Sequence, residues 1–149
     1  EFNSNYVNSK LEREFGYISD IVEDILNILK IMKSSNPGDI YLYTAPKWKK
    51  KVYEIINSKK GNFNEVIDEC KFNNDLMRNK NLISYVKSQI KDRVWEKDFT
   101  GLKEESLLEE YRDYIEKRVS GKIHINSDYD PKKRLQKAVP FKPAIYVDI

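Results

Sequence analysis

The 149-residue sequence predicts an α/β fold, a small sheet of about three strands covered by about four helices, with an N-terminal helical appendage. Three observations predict it. Apolar residues recur at three and four residues over 18–33, three short β-rich runs alternate in polarity, and the long stretch between the first two runs keeps a helical period. Residues 1–16 are polar and Asn-rich with no clear period, so they are expected to fray or to belong to a neighbouring element. Ile18, Ile21, Val22, Ile25, Ile28, Leu29 and Met32 then form one helical stripe. Asp20, Glu23 and Asp24 near its start and Lys30 and Lys33 near its end suit the helix dipole. Ser34 to Gly38 reads as a stop and a linker. It divides the chain into an expected helical segment, 1–36, and an expected α/β domain, 37–149.

Asp39 to Thr44 alternates and reads as the first strand. Thr44 or Ala45 is expected to cap the next helix, with Pro46 in its first turn, where the missing N–H is not needed. Trp48, Val52, Ile55 and Ile56 mark the buried face, and Lys59-Lys60-Gly61 ends the helix. A short helix follows with Phe63, Val66, Ile67 and Cys70 inward. A helix at about 73–95 places Leu82, Ile83, Val86, Ile90 and Val94 on one face. Another at about 102–119 buries Leu107, Leu108, Tyr111, Tyr114 and Ile115, with Gly121 in the position of a C-cap. Residues 122–126 and 144–149 read as the second and third strands. The basic stretch 132–139 between them has room for one or two helical turns before Pro140 and Pro143.

Charge is uneven along the chain. The net charge is +3, but residues 44–60 carry six basic and one acidic side chain, and 71–97 carry seven and three. Residues 1–33 and 99–121 are acidic, each with four basic and six acidic groups. Local clusters of cations are the footprint of a polyanion binder, although lysine is also an ordinary solvated helix residue. Lys47, Lys50 and Lys51 lie at helical spacing beside Trp48. Lys80, Lys87 and Lys91 fall on one stripe. Lys132, Lys133, Arg134 and Lys137 form a third cluster beside the last two strands.

Catalytic constellations do not emerge from the residue pattern. The single His124 faces opposite to Ile123 and Ile125 on its strand. With Asp128 and Asp130 it makes a poor metal set, because Lys132 to Arg134 follow at once, and no metal site is expected. The single Cys70 excludes an internal disulfide and a Cys-based zinc site, and reads as a small buried hydrophobe. A reducing compartment, the cytoplasm, is expected. There is no Gly-rich phosphate loop and no apolar run near the roughly 18 residues of a membrane span. The chain opens Glu-Phe-Asn without an initiator Met and reads as a piece of something longer.

Two segments carry a resemblance. One runs from Ile40-Tyr41-Leu42-Tyr43-Thr44-Ala45-Pro46-Lys47-Trp48-Lys49 into Val52-Tyr53-Glu54-Ile55-Ile56. The other is Gln136-Lys137-Ala138-Val139-Pro140-Phe141-Lys142-Pro143-Ala144-Ile145-Tyr146-Val147. Together they resemble the C-terminal region of leucyl-tRNA synthetases of the archaeal and eukaryotic cytosolic type. There a strand ending "Y-T-A-x-x-W-K" precedes a helix, and a "P-x-K-P-A-I" segment leads into a strand. The stripe at 18–33 resembles the last helix of the anticodon-binding bundle that precedes this region. Phe141 stands where Leu is more usual.

The resemblance implies a C-terminal fragment of leucine–tRNA ligase. The "HIGH" and "KMSKS" signatures of the catalytic body and its editing domain are absent from this sequence. The fragment is therefore expected to be inactive alone and to hold no cofactor, with ATP and magnesium belonging to the parent enzyme. The implied partners are tRNA(Leu), through its long variable arm, and the rest of the synthetase chain; no membrane is expected, and the fragment is expected to be monomeric. In the family the end of the chain takes part in recognition, which carries over to Val147, Asp148, Ile149 and the adjacent Lys142. The cluster Lys132, Lys133, Arg134 and Lys137, with Lys47, Lys50 and Lys51, is a physical expectation for phosphate contacts rather than a family motif. The rivals are a protein-docking module, which the acidic 99–121 helix would suit, and an independent small enzyme.

Overall fold

A computed structural model describes residues 2–33, 38–93, 96 and 102–148, with side chains from residue 9 onward. The described residues contain seven α-helices and one three-stranded sheet. In chain order these are α1 (Phe2–Met32), β1 (Asp39–Tyr43), α2 (Lys47–Ser58), α3 (Phe63–Cys70), α4 (Asn74–Met77), α5 (Leu82–Lys91), α6 (Glu104–Glu110), α7 (Arg112–Val119), β2 (Lys122–Ile125) and β3 (Ala144–Asp148). A 3₁₀ turn, Arg134–Lys137, lies between β2 and β3. The expected α/β class and three strands are present, with more helices than expected, because the stretches 73–95 and 102–119 each divide.

The chain forms two compact units. One comprises Glu1–Ala45 with Phe99–Ile149, and the other Pro46–Asp98. In the first unit the strand order is β2-β1-β3. β1 runs parallel to β2, pairing Ile40 with Ile123, and antiparallel to β3, pairing Ile40 with Val147. A parallel pair needs a long crossover, and residues 44–121 supply it. Alternation then sends Ile40, Leu42, Ile123 and Val147 to one face of the sheet. They share a core with Ile18, Ile21, Val22, Ile25 and Leu29 of α1, with Leu107 and Leu108 of α6, and with Ile115 and Val119 of α7.

Two details hold the end of the β1–β2 pair. Asn126 accepts from the Thr44 N–H at 2.8 Å through Oδ1 and donates from Nδ2 to the Thr44 hydroxyl at 3.0 Å. Its own φ of +51° is one that asparagine tolerates better than most residues. At the other end of β1, Gly38 has φ +74°, and a Cβ there would lie 3.2 Å from the Asp148 carbonyl oxygen. The glycine is needed both for its backbone angle and for this close approach.

The second unit buries Val52 and Ile56 of α2, Val66 and Cys70 of α3, Leu76 of α4, and Leu82 and Val86 of α5. Cys70 is the small buried hydrophobe expected of it.

Four local expectations change. First, α1 starts at Phe2 rather than near Ile18. Once the amphipathic part is nucleated, each further residue adds a hydrogen bond at little cost, and Lys10 and Glu14 form an i,i+4 pair at 3.9 Å. Second, the helix expected over 73–95 is broken. Asn73 caps α4 by accepting from Leu76 N–H at 3.1 Å, and Asn79 accepts from Asn81 N–H at 2.9 Å. Asparagine side chains compete here with the helical ladder. The Val94 expected on that face lies outside the described residues, as do 34–37 of the expected linker. Third, the helix over 102–119 bends at Tyr111 (φ −98°, ψ 10°), so that α7 packs against α1 and β2. Fourth, Pro46 itself occupies the N-cap position of α2, and Ser120 at φ +56° takes the C-cap of α7 one residue before Gly121.

Candidate nucleic-acid interface

The two segments that carry the family resemblance each contribute a strand to the sheet. β1 from the first pairs with β3 from the second, Tyr41 opposite Tyr146 and Leu42 opposite Ile145. Just before β3 in sequence, the basic cluster is held in one shape by a carboxylate. Asp130 accepts from Arg134 N–H at 2.7 Å through Oδ1 and from Leu135 N–H at 3.0 Å through Oδ2. These bonds satisfy the first donors of the 3₁₀ turn, as an N-capping acid does. Lys133 enters the turn at φ +53°. The turn packs on β3. Lys132, Lys133 and Lys137 are exposed, whereas Arg134 is half-buried. Desolvation, with the Asp148 carboxylate adding to it, pushes the Tyr146 pKa up, and the nearby Arg134 guanidinium opposes this only in part; the buried Nε of Arg134 has no hydrogen-bond partner among the described residues.

Lys142 is exposed and bridges back to Val139. Val147 is 8% exposed and its side chain belongs to the core. Asp148 is on the opposite face, and Ile149 lies outside the described residues. Lys47, Lys50 and Lys51 are exposed on α2, in the second unit. Between them Lys49 turns inward, three residues before Val52 on the same helical face. It is 6% exposed, with its ammonium 5.6 Å from the Trp48 ring centroid and 5.2 Å from that of Tyr85. Burial pushes its pKa down. Lys80, Lys87 and Lys91 are in the second unit too. Lys87 sits over the Phe63 ring at 5.7 Å.

A feature absent from the sequence expectations is a row of rings on the sheet face opposite the core. Tyr41 stands between His124 on β2 and Tyr146 on β3, with ring centroids 4.6 Å and 5.9 Å away. The His124 and Tyr41 rings are stacked at 17°, and His124 Nε2 is 2.8 Å from Asp39 Oδ1. Tyr129 leans on this row from the loop after β2, 5.1 Å from Tyr41 and 6.4 Å from Tyr146. Strand alternation alone places His124, Tyr41 and Tyr146 off the core face. The register that aligns them depends on strand order.

Two buried phenols in the sheet-bearing unit have raised pKa values. Tyr43 donates its hydroxyl to the Tyr129 carbonyl. Desolvation, with the Asp130 carboxylate adding to it, pushes its pKa up to about 12. Tyr17 donates to the buried Glu104 carboxylate at 2.8 Å, and burial followed by that charge raises its pKa strongly. Both folded pKa values exceed the unfolded value, so the folded state binds more protons above pH 10. Stability is therefore complete below about pH 10 and falls as the pH rises toward 12. Urea unfolding at stepped alkaline pH measures this, and a midpoint that stays flat from pH 9 to 12 would contradict it.

Among the described residues no group of three or more His, Cys, Asp or Glu could hold a metal ion. No described helix is long and apolar enough to cross a membrane.

No family model matches the chain. Individual proteins do. Leucine–tRNA ligase of Pyrococcus abyssi is 32% identical over 142 residues, covering 95% of this chain and 14% of its own length. That of Pyrococcus furiosus is 34% identical over 142 residues, with the same coverage. That of Methanocaldococcus jannaschii is 29% identical over 150 residues, covering 99% of this chain and 15% of its own length. The chain is thus homologous to a part of a tRNA aminoacylation protein. Its relatives are the archaeal leucine–tRNA ligases, and the match is consistent with a C-terminal region of the archaeal-type leucyl-tRNA synthetase. It spans about one-seventh of the length of these relatives, 14–15%.

Proposed function

We propose that this chain is the tRNA-binding fragment of a leucyl-tRNA synthetase. It recognises the long variable arm of tRNA(Leu) and positions the tRNA for aminoacylation and editing by the rest of the enzyme. ATP and magnesium belong to that absent catalytic body. The observation that carries the reading is the Asp130-capped basic turn packed on β3. It presents Lys132, Lys133 and Lys137 to solvent beside the strand that leads to Asp148 and Ile149. RNA sequence is read mostly at unpaired bases, and the tip of a variable arm offers them. Lysines hold the phosphates and set the register, while the 148–149 end and Lys142 meet the arm.

The test compares a tRNA(Leu) that keeps its long variable arm with one whose arm is shortened, at two salt concentrations. Tighter binding of the full arm, lost when Ile149 alone is deleted, supports the reading. A deletion reaching Val147 would be uninformative, because that side chain is part of the core. Equal binding of both tRNAs would remove arm recognition. Salt-insensitive capture of a protein partner, with no RNA binding, would make the chain a docking module instead.

A further inference from the structure

We infer that Tyr129 is a stacking seat for one unpaired RNA base. The inference rests on the RNA-binding reading above and deepens it. Tyr129 is 48% exposed, yet it is held on several sides. Its N–H donates to Ser127 Oγ at 3.1 Å, and its carbonyl accepts the Tyr43 hydroxyl. Its ring rests on Tyr41 and Tyr146, at 5.1 Å and 6.4 Å. Tyr41 in turn has His124 stacked against it. The rings of the row below cover one another in part and are half-buried, whereas Tyr129 is the most exposed of the four. An exposed aromatic fixed in this way loses little freedom when a second flat group stacks on it.

The surrounding charge points to a nucleotide rather than an apolar peptide. Tyr129 is followed at once by Asp130, whose carboxylate shapes the turn bearing Lys132, Lys133, Arg134 and Lys137. Arg134 lies near Tyr146 in the same row, with its Nε unpartnered. Cations on the turn that directly follows a stacking ring can hold the phosphates flanking a stacked base. The Asp148 carboxylate, on the same face, has no hydrogen-bond partner among the described residues and can accept from base N–H groups. Any base has a π-face, so the seat is tolerant of sequence, and discrimination comes from the arm's shape and the residues at 148–149.

The experiment uses the whole chain and two probes, an unstructured oligoadenylate and an abasic ribose-phosphate strand of equal length. Wild type, Tyr129→Phe and Tyr129→Ala are compared. Tyr129→Phe is expected to bind both probes as wild type does. Tyr129→Ala is expected to lose roughly tenfold or more for the oligoadenylate, with no change in salt slope and no change for the abasic strand. Equal losses for both probes would mean that Tyr129 only supports the fold, and the inference fails. Unchanged binding by Tyr129→Ala, with the lysine variants described below impaired, would also overturn it while leaving RNA binding intact. Failure of the wild type to bind either probe or tRNA would overturn both readings. If Tyr129→Ala instead loses affinity for the rest of the synthetase, the ring is a protein contact and the inference is again wrong.

Discussion

Ile18→Ala is expected to destabilise the sheet-bearing unit by about 2–5 kcal/mol, the usual cost of removing a large aliphatic side chain from a packed core. Ile18 has no exposed surface and lies in one cluster with Ile40, Leu42, Leu108 and Ile115. The apolar stripe of α1 would suit several partners, including helices of a longer chain. Within this chain it packs against α6, α7 and the sheet. Ile31 on the same helix is 81% exposed and serves as the control, since its replacement by alanine should change stability by no more than about 0.5 kcal/mol. Urea unfolding monitored by circular dichroism separates the two. Equal, small effects for both variants would show that α1 does not belong to this core.

The second large effect concerns binding. Replacing Lys132, Lys133 and Lys137 together by glutamine should flatten the salt dependence of RNA affinity. With about 0.7 counterion released per phosphate contact on a single strand, losing three contacts lowers the slope by roughly two units. All three lysines are exposed and none makes an ion pair among the described residues, so the fold should be unaffected. Arg134 is left in place because it is half-buried next to β3. The matched variant Lys47→Gln, Lys50→Gln, Lys51→Gln tests the exposed lysines of α2 in the same way. A full slope retained by the first variant and lost by the second would move the phosphate contacts to the helical unit. Unchanged slopes in both would leave the two clusters as ordinary solvated surface.

Much of the candidate surface is visible in the linear chain. Lys132, Lys133 and Lys137 stand out as a run, and exposure follows from their setting in a turn. Lys47, Lys50 and Lys51 are exposed as their helical spacing requires, and the same spacing explains why Lys49, on the face of Val52, is drawn inward. Val147 shows the opposite case. A family resemblance attaches to the 147–149 end as a whole, but strand alternation divides it, with Val147 in the core and Asp148 on the other face. The role of Asp130 was not legible, because its value comes from accepting two N–H groups four and five residues away, a geometry set by the turn rather than by residue type.

Local patterns by themselves determined the fold class, the three strands and the helical character of the stretches between them. Period and composition mark α1, the three strands, α2 and α3, because burying one face of a helix or strand leaves its repeat in the sequence. The asparagine breaks at 73–81 and the bend at Tyr111 were decided by competition between side-chain hydrogen bonds, packing and the helical ladder, which residue periodicity does not record. Strand order was decided only in three dimensions. β1 pairs with two strands, one of them reached across residues 44–121, and nothing local to β1 names its neighbours. That pairing sets Tyr41 between His124 and Tyr146 and leaves Tyr129 resting on them. The sequence therefore specified the rings and cations singly, while the tertiary fold assembled them, because side chains from four separate segments share a surface only after the sheet has chosen its register.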